Sequence, residues 1–415
     1  MNVYTQDNRD VTPTSIFIAL KGLERDGHIF IEDTLTRGAK KIVFHDESYK
    51  QKIPKARQVF VLDTEEWLIA KAKAKIKKAK VITICGSVGK TTTTKLTHHL
   101  ITNLTKVSVF TPRFGINTLR GICLEILNKY KGEKIVLLET AMDEYLELDK
   151  IANVFAPHIC AIVNIDISHF EKLKSMSRIL RTEFGMCTSN RLTHAIVNYN
   201  NKYIQKFVDK SYKKLFVKRH KLVKAENLTK QLSLKIIPKH FSVNLNVSLE
   251  ILKLFKKKLK GTDIQHVINT FTPADKRFEI YKVKSWIILN DCYNAAPLSF
   301  KVFFNYSKNM KGKKLGIVGQ INEIGILSQK YHQNVFDTAI KTFDYCVFVG
   351  SNFDFLKSNL PNAAFAQDYK EAITILSTLE LNNYTIIGIK GSRGVALENV
   401  TNVILQRNGI DNGSK

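Results

Sequence analysis

The sequence predicts an α/β protein of three domains. Short apolar strands alternate with helical segments over most of the 415 residues, and this alternation is typical of parallel sheets. A glycine loop joins one such strand to a helix at residues 81–94, and a second series of strands starts near Pro273. A chain of this length accommodates two or three domains. The predicted divisions are a small N-terminal α/β domain at 1–79, a central parallel-sheet domain at 80–272, a C-terminal Rossmann-like doubly wound domain at 273–407, and a tail at 408–415.

The elements follow in chain order. In the first domain we predict strands at 15–20 and 41–44, a helix at 29–38, and a lysine-rich connecting helix at 65–80. In the central domain we predict strands at 81–84, 107–110, 134–138, 159–165 and 195–198 and helices at 90–100, 118–130, 147–152, 175–187 and 241–260. The basic stretch 208–237 supports only a few short strands. Four apolar strands, at 286–289, 314–318, 345–349 and 384–389, are spaced widely enough for helical crossovers in the third domain.

The net charge of +27, from 64 basic against 37 acidic residues, suggests a nucleic-acid partner at first sight. The excess lysine is spread along the chain without interleaved arginine and aromatic residues, so solvated helix faces and anionic small substrates are the favoured interpretation. The six cysteines show no C-x-x-C pair and are expected to be reduced, buried thiols. With no apolar signal segment and no membrane-length apolar run, we expect a cytoplasmic protein. We also expect it to be a monomer.

A phosphate-binding loop is predicted between the strand at 81–84 and the helix that begins at Lys90. Backbone N–H groups of such a loop bind an anion, while Lys90 supplies charge and Thr91 a hydroxyl for Mg²⁺. Counted from Gly86, the loop is one residue shorter than G-x-x-x-x-G-K-[ST]. ATP binding is the working hypothesis. The predicted nucleotide contacts of this loop are Gly86, Ser87, Val88, Gly89, Lys90, Thr91 and Thr92.

Two later strand ends carry polar side chains that would reach the same edge of the sheet. Glu139 ends an apolar strand, a position suited to a Mg²⁺ ligand or its water. Asp166 and His169 follow the next strand. The alternatives are a solvated strand-end carboxylate for Glu139 and a purely structural role for His169.

These motifs carry a resemblance. The order G-S-V-G-K-T-T-T-T, L-L-E-T, N-I-D-I-S-H-F-E resembles the ATPase domain of the Mur ligases, which add amino acids to peptidoglycan precursors. The N-terminal motifs D-N-R, I-F-I-A-L-K-G and D-G-H are similar to that family's first domain. Three C-terminal motifs, N-D-C-Y-N-A-A-P, G-Q-I-N-E-I-G followed by His332, and K-G-S-R followed by Glu398, resemble its D-alanyl-D-alanine-adding branch. Nearly the whole chain is covered.

The resemblance implies an ATP-dependent ligase that joins a carboxylate to an amine through an acyl phosphate. It implies that Lys90 holds the β- and γ-phosphates, that Thr91 binds one Mg²⁺, and that Glu139 and His169 bind a second. Arg277 would contact the γ-phosphate when the C-terminal domain closes. Further residues are assigned to the nucleotide only by the resemblance, against an alternative of turn or capping roles: Asp291, Tyr293, Asn294, His240 and Asn244.

The sequence also departs from the family pattern. The family carries a carbamylated lysine after its histidine, and a count without gaps places Glu183 there, whereas a two-residue gap would place Arg181. Glu183 is favoured because a carboxylate supplies the negative charge directly. The first domain is expected to be shorter than usual, and Asn290 and Ala296 replace an aspartate and an asparagine. A peptidoglycan role with UDP-MurNAc-peptide and D-Ala-D-Ala is expected. The alternatives are a paralogue that joins another acid and amine in capsule, surface-sugar or small-metabolite synthesis, and a non-catalytic nucleotide-binding protein.

Overall fold

A computed structural model describes residues 2–22, 25–216, 220–225, 241–283, 286–358 and 360–407. It contains three β-sheets, each drawn from one contiguous stretch of the chain, with helices packed against them. The α/β class and the three-domain fold are thereby confirmed. The predictions made for His240 and for the tail lie outside the described residues. Among the described residues, no helix is long and apolar enough to cross a membrane.

The N-terminal sheet is parallel, with strand order β1-β2-β3-β4. Its strands and helices are β1 (Val3–Thr5), β2 (Ser15–Ile18), α1 (Ile31–Thr36), β3 (Lys41–Phe44), β4 (Gln58–Phe60) and α2 (Thr64–Lys75). His28, from the D-G-H motif, is buried. Its Nδ1 lies 2.6 Å from an oxygen of Asp26, and its Nε2 accepts the amide of His45 at 3.2 Å. Both ring nitrogens therefore fix loops of this domain.

The central sheet is parallel, with strand order β10-β9-β8-β5-β7-β6. Its strands are β5 (Lys80–Cys85), β6 (Val109–Phe110), β7 (Ile135–Glu139), β8 (Ile159–Ile162), β9 (His194–Asn198) and β10 (Lys221–Ala225). Its helices are α3 (Lys90–Leu104), α4 (Leu119–Lys129), α5 (Glu147–Phe155), α6 (Phe170–Leu173), α7 (Met176–Glu183), α8 (Lys202–Phe207), α9 (Lys213–Leu215), α10 (Ser242–Lys253) and α11 (Gly261–Asn269). After β5 the chain forms the edge strand β6, then β7 between β5 and β6, and crosses to the other side of β5 with β8. The carboxyl end of β5 is consequently a topological switch point, where open α/β sheets bind ligands.

The C-terminal sheet has strand order β11-β12-β16-β13-β14-β15, and only its edge strand β11 pairs antiparallel. Its strands are β11 (Glu279–Val283), β12 (Trp286–Asp291), β13 (Lys314–Gly319), β14 (Tyr345–Val349), β15 (Ala363–Ala366) and β16 (Ile386–Lys390). Its helices are α12 (Pro297–Lys308), α13 (Ser328–Ala339), α14 (Tyr369–Thr378) and α15 (Glu398–Gln406). The carboxyl ends of β12, β13 and β16 face the central domain through the side chains described below.

Two apolar clusters cross the predicted domain limits. One runs from the N-terminal strand β2 and helix α2 into the face of the central sheet formed by β5, β7 and β8. Another joins α3 and α10 of the central domain to α12 of the C-terminal domain through Phe241, Phe278 and Phe303. Because burial of apolar area is the main stabilising term, these contacts hold the three sheets in one arrangement.

The structure corrects several predicted element limits. The connecting helix ends at Lys75, not at residue 80, because β5 begins at Lys80 and the chain must turn before it. The strand predicted at 159–165 ends at Ile162. Beyond it the chain bends so that the carbonyl of Asn164 accepts the amide of Ser87 at 2.7 Å. The predicted helix 175–187 ends at Glu183 and continues as a tighter turn.

Candidate active site

The loop after β5 has the shape of an anion-binding loop. Gly86 and Gly89 both adopt positive φ, at 128° and 93°, a region that side chains rarely tolerate. Space excludes a side chain as well. A Cβ on Gly86 would lie 2.7 Å from the carbonyl oxygen of Asn164, and one on Gly89 would lie 2.5 Å from the amide nitrogen of Asn244. Both positions therefore require glycine. The loop is followed directly by α3, whose first residue is Lys90.

Lys90, Thr91 and Glu139 lie together at the end of β5 and β7. The Lys90 ammonium donates to the carbonyl of Gly86 at 2.6 Å, which keeps it folded over the loop. The hydroxyl of Thr91 donates to Glu139 at 2.7 Å, and the amide of Asn117 donates to the other oxygen of Glu139 at 3.2 Å. Glu139 is 3% exposed, so it is not a solvated strand-end carboxylate.

Two neighbours brace the loop from outside it. The amide nitrogen of Asn244, on α10, donates to the carbonyl of Gly89 and to the hydroxyl of Thr93, both at 3.0 Å. On the other side, the hydroxyl of Ser87 donates to the carbonyl of Asp166 and accepts the amide of Asp166. Asn244 thus supports the phosphate loop in addition to lining the cavity beside it.

His169 lies at the start of α6, facing the C-terminal domain. Its Nδ1 is 2.7 Å from Glu323 and 3.3 Å from Asp143. The hydrogen bond from His169 is the main reason why the pKa of Glu323 is lowered. His169 lines a cavity together with Ser87 and Lys90, and none of the hydrogen bonds found among the described residues involves its Nε2.

Glu183 is buried beneath the phosphate loop and does not line the cavities described here. Burial raises the pKa of its carboxyl to about 7, and the charges of Lys90 and His169 and the Gly86 amide act against that rise. The competing candidate, Arg181, is held elsewhere by a bidentate ion pair with Asp149, at 2.8 and 3.0 Å. Of the two alternatives, the structure brings Glu183 and not Arg181 to the loop.

Two arginines, one of them the predicted nucleotide contact Arg277, lie over the ring of Tyr293. The guanidinium of Arg277 lies 3.9 Å from the ring centre of Tyr293, and that of Arg393 lies 5.2 Å from it. Both residues that flank Arg277 adopt positive φ, near 58° and 56°, so the linker between the two domains is a constrained turn. This places Arg277 beside the phosphate loop.

Asp291 forms a buried ion pair with Lys390. The ammonium of Lys390, whose side chain is 1% exposed, donates to Asp291 at 2.6 Å and to the carbonyl of Asn294 at 3.3 Å. Asp291 also accepts the amide of Phe278 at 3.1 Å. These contacts connect the ends of β12 and β16 and shape the wall of the cavity next to the loop.

Two cavities are lined by residues of the phosphate loop. The first, of about 340 Å³, extends from the loop to α10 and α12. The second, of about 320 Å³, extends from the loop to His169 and Glu323. The cavities share Ser87, Lys90, Asn117, Tyr293, Asn294, Ala295 and Ala296.

Sequence reasoning missed three side chains that contribute to this site. Asn117 holds Glu139, Asp143 contacts His169, and Glu323 reaches His169 from the other domain. Glu323 lies inside the quoted G-Q-I-N-E-I-G motif, so that motif was the available signal. For Asn117 and Asp143, which stand in loops, no spacing indicated a role.

Comparison with known proteins agrees with this geometry. Residues 84–270 match the Mur ligase middle domain. The UDP-N-acetylmuramoyl-tripeptide–D-alanyl-D-alanine ligase of Rickettsia prowazekii is 27% identical over 95% of this chain and 93% of its own length. The enzyme of the same description from Bacillus subtilis is 23% identical over 96% and 92%. The fold resembles that of MurF ligase from Thermotoga maritima in complex with ADP, with a TM-score of 0.81 at 21% identity and 98% of both chains covered.

The matches extend well beyond the phosphate loop, over nearly the full length of both relatives. They confirm the prediction of an ATP-dependent ligase that forms a carbon–nitrogen bond. The chain thus carries a match to the Mur ligase middle domain and is similar over nearly its full length to MurF ligases.

Proposed function

We propose that this ligase joins the terminal carboxylate of a UDP-N-acetylmuramoyl-tripeptide to the amine of D-alanyl-D-alanine, with ATP as the energy source. The observation that carries the proposal is that residues of one phosphate loop line two cavities. A simple nucleotide-binding protein needs only one cavity at that loop. A ligase must also bring an acid and an amine to the γ-phosphate, and the second cavity provides that space.

The first cavity suits the nucleotide. It combines the loop and Lys90 with an apolar wall from Phe241, Val243 and Val302. Nucleotide pockets typically pair an apolar slot for the base with a few convergent polar groups. Arg277 lies at the junction between this cavity and a smaller neighbouring pocket and supplies a positive charge beside the loop.

The second cavity suits an acid and an amine. Its lining includes the carboxylates of Asp143, Glu147 and Glu323, which attract an ammonium group. It also includes the cations Lys90 and Arg393, which attract carboxylates. A zwitterionic amine such as a dipeptide has a group for each of these two charges.

The chemistry follows in two steps. A carboxylate oxygen of the acid attacks the γ-phosphorus, and the bond between this phosphorus and the β-phosphate oxygen breaks. ADP is the leaving group, and the acid becomes an acyl phosphate. The amine then attacks the acyl carbon, phosphate departs, and the amine loses a proton as the amide forms. Lys90 and the loop amides stabilise negative charge on the transferred group, an effect worth about 10²–10³ in rate for a single donor in other enzymes.

The residues present fit Mg²⁺. Among the described residues, no three His, Cys, Asp or Glu side chains are placed to hold a metal unaided. Mg²⁺ is commonly held by one or two protein oxygens together with substrate phosphates, and Thr91 and Glu139 supply such oxygens. The buried hydroxyl of Ser168, which lines the second cavity next to His169, has no partner in the described structure. When bound, Mg²⁺ would neutralise charge on the phosphates and the substrate carboxylate, with Thr91 as the protein ligand of one ion and Glu139 and His169 as those of a second.

The test is a reconstituted reaction. The purified chain would be mixed with ATP, Mg²⁺, UDP-MurNAc-tripeptide and D-alanyl-D-alanine, with phosphate release and product mass measured together. We expect phosphate release that requires both acid and amine and that is lost in Lys90→Ala. Turnover only with another acid and amine would establish a paralogue, and nucleotide binding without any turnover would establish a non-catalytic protein. The cytoplasmic location and the monomeric state remain predictions that size-exclusion chromatography and fractionation would check.

A further inference from the structure

One short contact of the site crosses the boundary between the central and C-terminal domains. Glu323, in the loop after β13, lies 2.7 Å from Nδ1 of His169, closer than Asp143 of the histidine's own domain at 3.3 Å. The side chain of Glu323 is 56% exposed, so this contact is not a by-product of packing in a core. A specific interaction with His169 accounts for its direction.

A backbone hydrogen bond also joins the same two segments. The carbonyl oxygen of Glu323 accepts the amide of Glu171 at 3.0 Å, two residues beyond His169. Gly325 lies so close to the backbone of Glu171 that a Cβ added to Gly325 would be 3.2 Å from the Cα of Glu171. Glu323 thus contacts the start of α6 through both its side chain, at His169, and its main chain, at Glu171.

Both partners hold an unfavourable backbone conformation. His169 has φ of 51° and Glu323 has φ of 64°, in the left-handed region that residues with a side chain rarely adopt. Such conformations persist where surrounding contacts enforce them, and they concentrate at functional sites. Here each residue is held in that conformation where it meets the other.

The loop that carries Glu323 is anchored from below. Ile321 and Ile324 are buried, and His332 of α13 accepts the amide of Ile321 on Nε2 at 3.0 Å. The other nitrogen of His332 lies 2.7 Å from the carbonyl of Ser328. His332 therefore fixes the loop and leaves Glu323 as the group presented to the central domain.

The contact fixes which nitrogen of His169 is free. When Nδ1 donates its proton to a carboxylate, Nε2 carries the lone pair, and this is the usual arrangement of a metal-binding histidine. We propose that Glu323 is a positioning residue that sets the tautomer and orientation of His169 from across the domain boundary. Contact between the Glu323 loop and the start of α6 and metal binding by His169 are then coupled, and each favours the other to the same degree. This inference rests on the metal role of His169 in the proposed function.

The experiment uses Mn²⁺ with a non-hydrolysable ATP analogue and the full chain. Electron paramagnetic resonance gives the Mn²⁺ affinity, and nitrogen modulation in the spin-echo signal reports a histidine ligand. We expect Glu323→Ala to weaken Mn²⁺ binding about 10- to 100-fold, the range found when carboxylate partners of metal-bound histidines are removed. The nitrogen modulation should be lost, as in His169→Ala. Glu323→Gln keeps a hydrogen-bond acceptor of the same size and should weaken binding less.

A matched control is Glu171→Gln, which removes the same charge at the same boundary without touching the ring of His169 and should leave both readouts unchanged. Asp143→Asn tests the alternative that the histidine is oriented within its own domain. A larger loss in Asp143→Asn than in Glu323→Ala, or full affinity with intact nitrogen modulation in Glu323→Ala, would overturn the inference. Tight binding of Mn²⁺ and nucleotide by the unmodified chain without nitrogen modulation would refute the inference and the metal role of His169, but not the proposed ligase reaction. Failure to bind the nucleotide analogue at all would refute the proposed function too.

Discussion

Asp166, in the central domain, caps a helix of the C-terminal domain. Its carboxylate accepts the amide of Leu298 at 2.6 Å, in the first turn of α12. The residue at the cap position of that helix is Ala296, whose side chain cannot accept a hydrogen bond. Asp166 takes over this function from another domain, next to the cavity assigned to the nucleotide.

We predict that Asp166→Ala lowers the free energy of unfolding by about 1 kcal/mol, the usual cost of losing a helix cap. It should also raise the KM for ATP, because α12 lines the nucleotide cavity. Asp368→Ala is the control, since Asp368 caps α14 through two amides but lies on another part of the domain. The control should lose similar stability with an unchanged KM; an equal KM change in both variants would contradict the prediction.

Glu183 should make stability depend on pH. Burial raises the pKa of its carboxyl from an ordinary value of 4.5 to about 7. Between these values the folded chain keeps a proton that the unfolded chain has released, so the free energy of unfolding falls as the pH rises through this window. The loss amounts to about 3 kcal/mol for a difference of this size. Glu183→Gln cannot ionise, so its stability relative to the unmodified chain should increase from pH 5 to pH 8 in urea titrations. If the difference in stability between Glu183→Gln and the unmodified chain stays constant with pH, burial does not raise the pKa of Glu183.

The reaction should not need bicarbonate. Neither Glu183 nor Arg181 can be carbamylated, so we predict equal phosphate release in buffers with and without bicarbonate, and no inhibition by chloride through such a site. In Glu183→Ala, a lost activity should be partly restored by short carboxylic acids that enter the space left behind. Arg181→Ala serves for comparison, because it breaks the ion pair with Asp149 and the contact with the ring of Phe216, and its activity should not respond to added acids. Full activity in Glu183→Ala would disprove a role for this carboxylate.

Glu139 and His169 should contribute to turnover more than to nucleotide binding. We predict that Glu139→Gln and His169→Ala each lower phosphate release by about 100-fold or more, the scale expected when charge stabilisation is removed, while fluorescent nucleotides still bind. Glu133→Gln, at the opposite end of the same strand segment, should retain full activity. Loss of nucleotide binding in parallel with turnover would assign the two residues to ATP rather than to a metal.

Asn244 should matter through the shape of the phosphate loop. In Asn244→Ala the carbonyl of Gly89 and the hydroxyl of Thr93 lose a buried donor, which costs about 1–3 kcal/mol. Calorimetry with an ATP analogue should therefore show roughly tenfold weaker binding. Asn103→Ala removes a similar amide on the exposed part of α3 and should bind as the unmodified chain does. Equal affinity in both variants would mean that the loop keeps its shape without the brace.

The fold was predictable to different extents in different parts of each sheet. Inner strands such as β5, β13 and β14 are continuous apolar runs because both of their faces are covered, and they were predicted within a residue or two. The edge strands β1, β4, β11 and β15 were missed, since they are short or mix polar and apolar residues. Strong local patterns therefore located the sheets but not their borders.

The site divides in the same way. The loop at Gly86–Lys90 and Glu139 belong to motifs read within one strand and its following turn. Glu323, which contacts His169, and Asp166, which caps Leu298, each act on a residue of a different domain, more than a hundred residues away in the chain. No local pattern encodes such a pairing, because it depends on how the two domains pack. Sequence reasoning therefore identified His169 without its orientation.

The apolar cluster shared by the first two sheets bears on how the chain can be divided for engineering. Strand β1 is completed at its edge by the side-chain amide of Asn128, which exchanges two hydrogen bonds of 2.8 Å with the backbone of Tyr4. An excised fragment 1–79 would expose apolar surface that α4 normally covers, so it should aggregate or remain partly folded. A chimera that imports another acceptor-binding module would need to carry a matching α4 surface with it. By this criterion the exchangeable unit runs through at least Lys129, and thermal unfolding should melt the first two sheets in one transition.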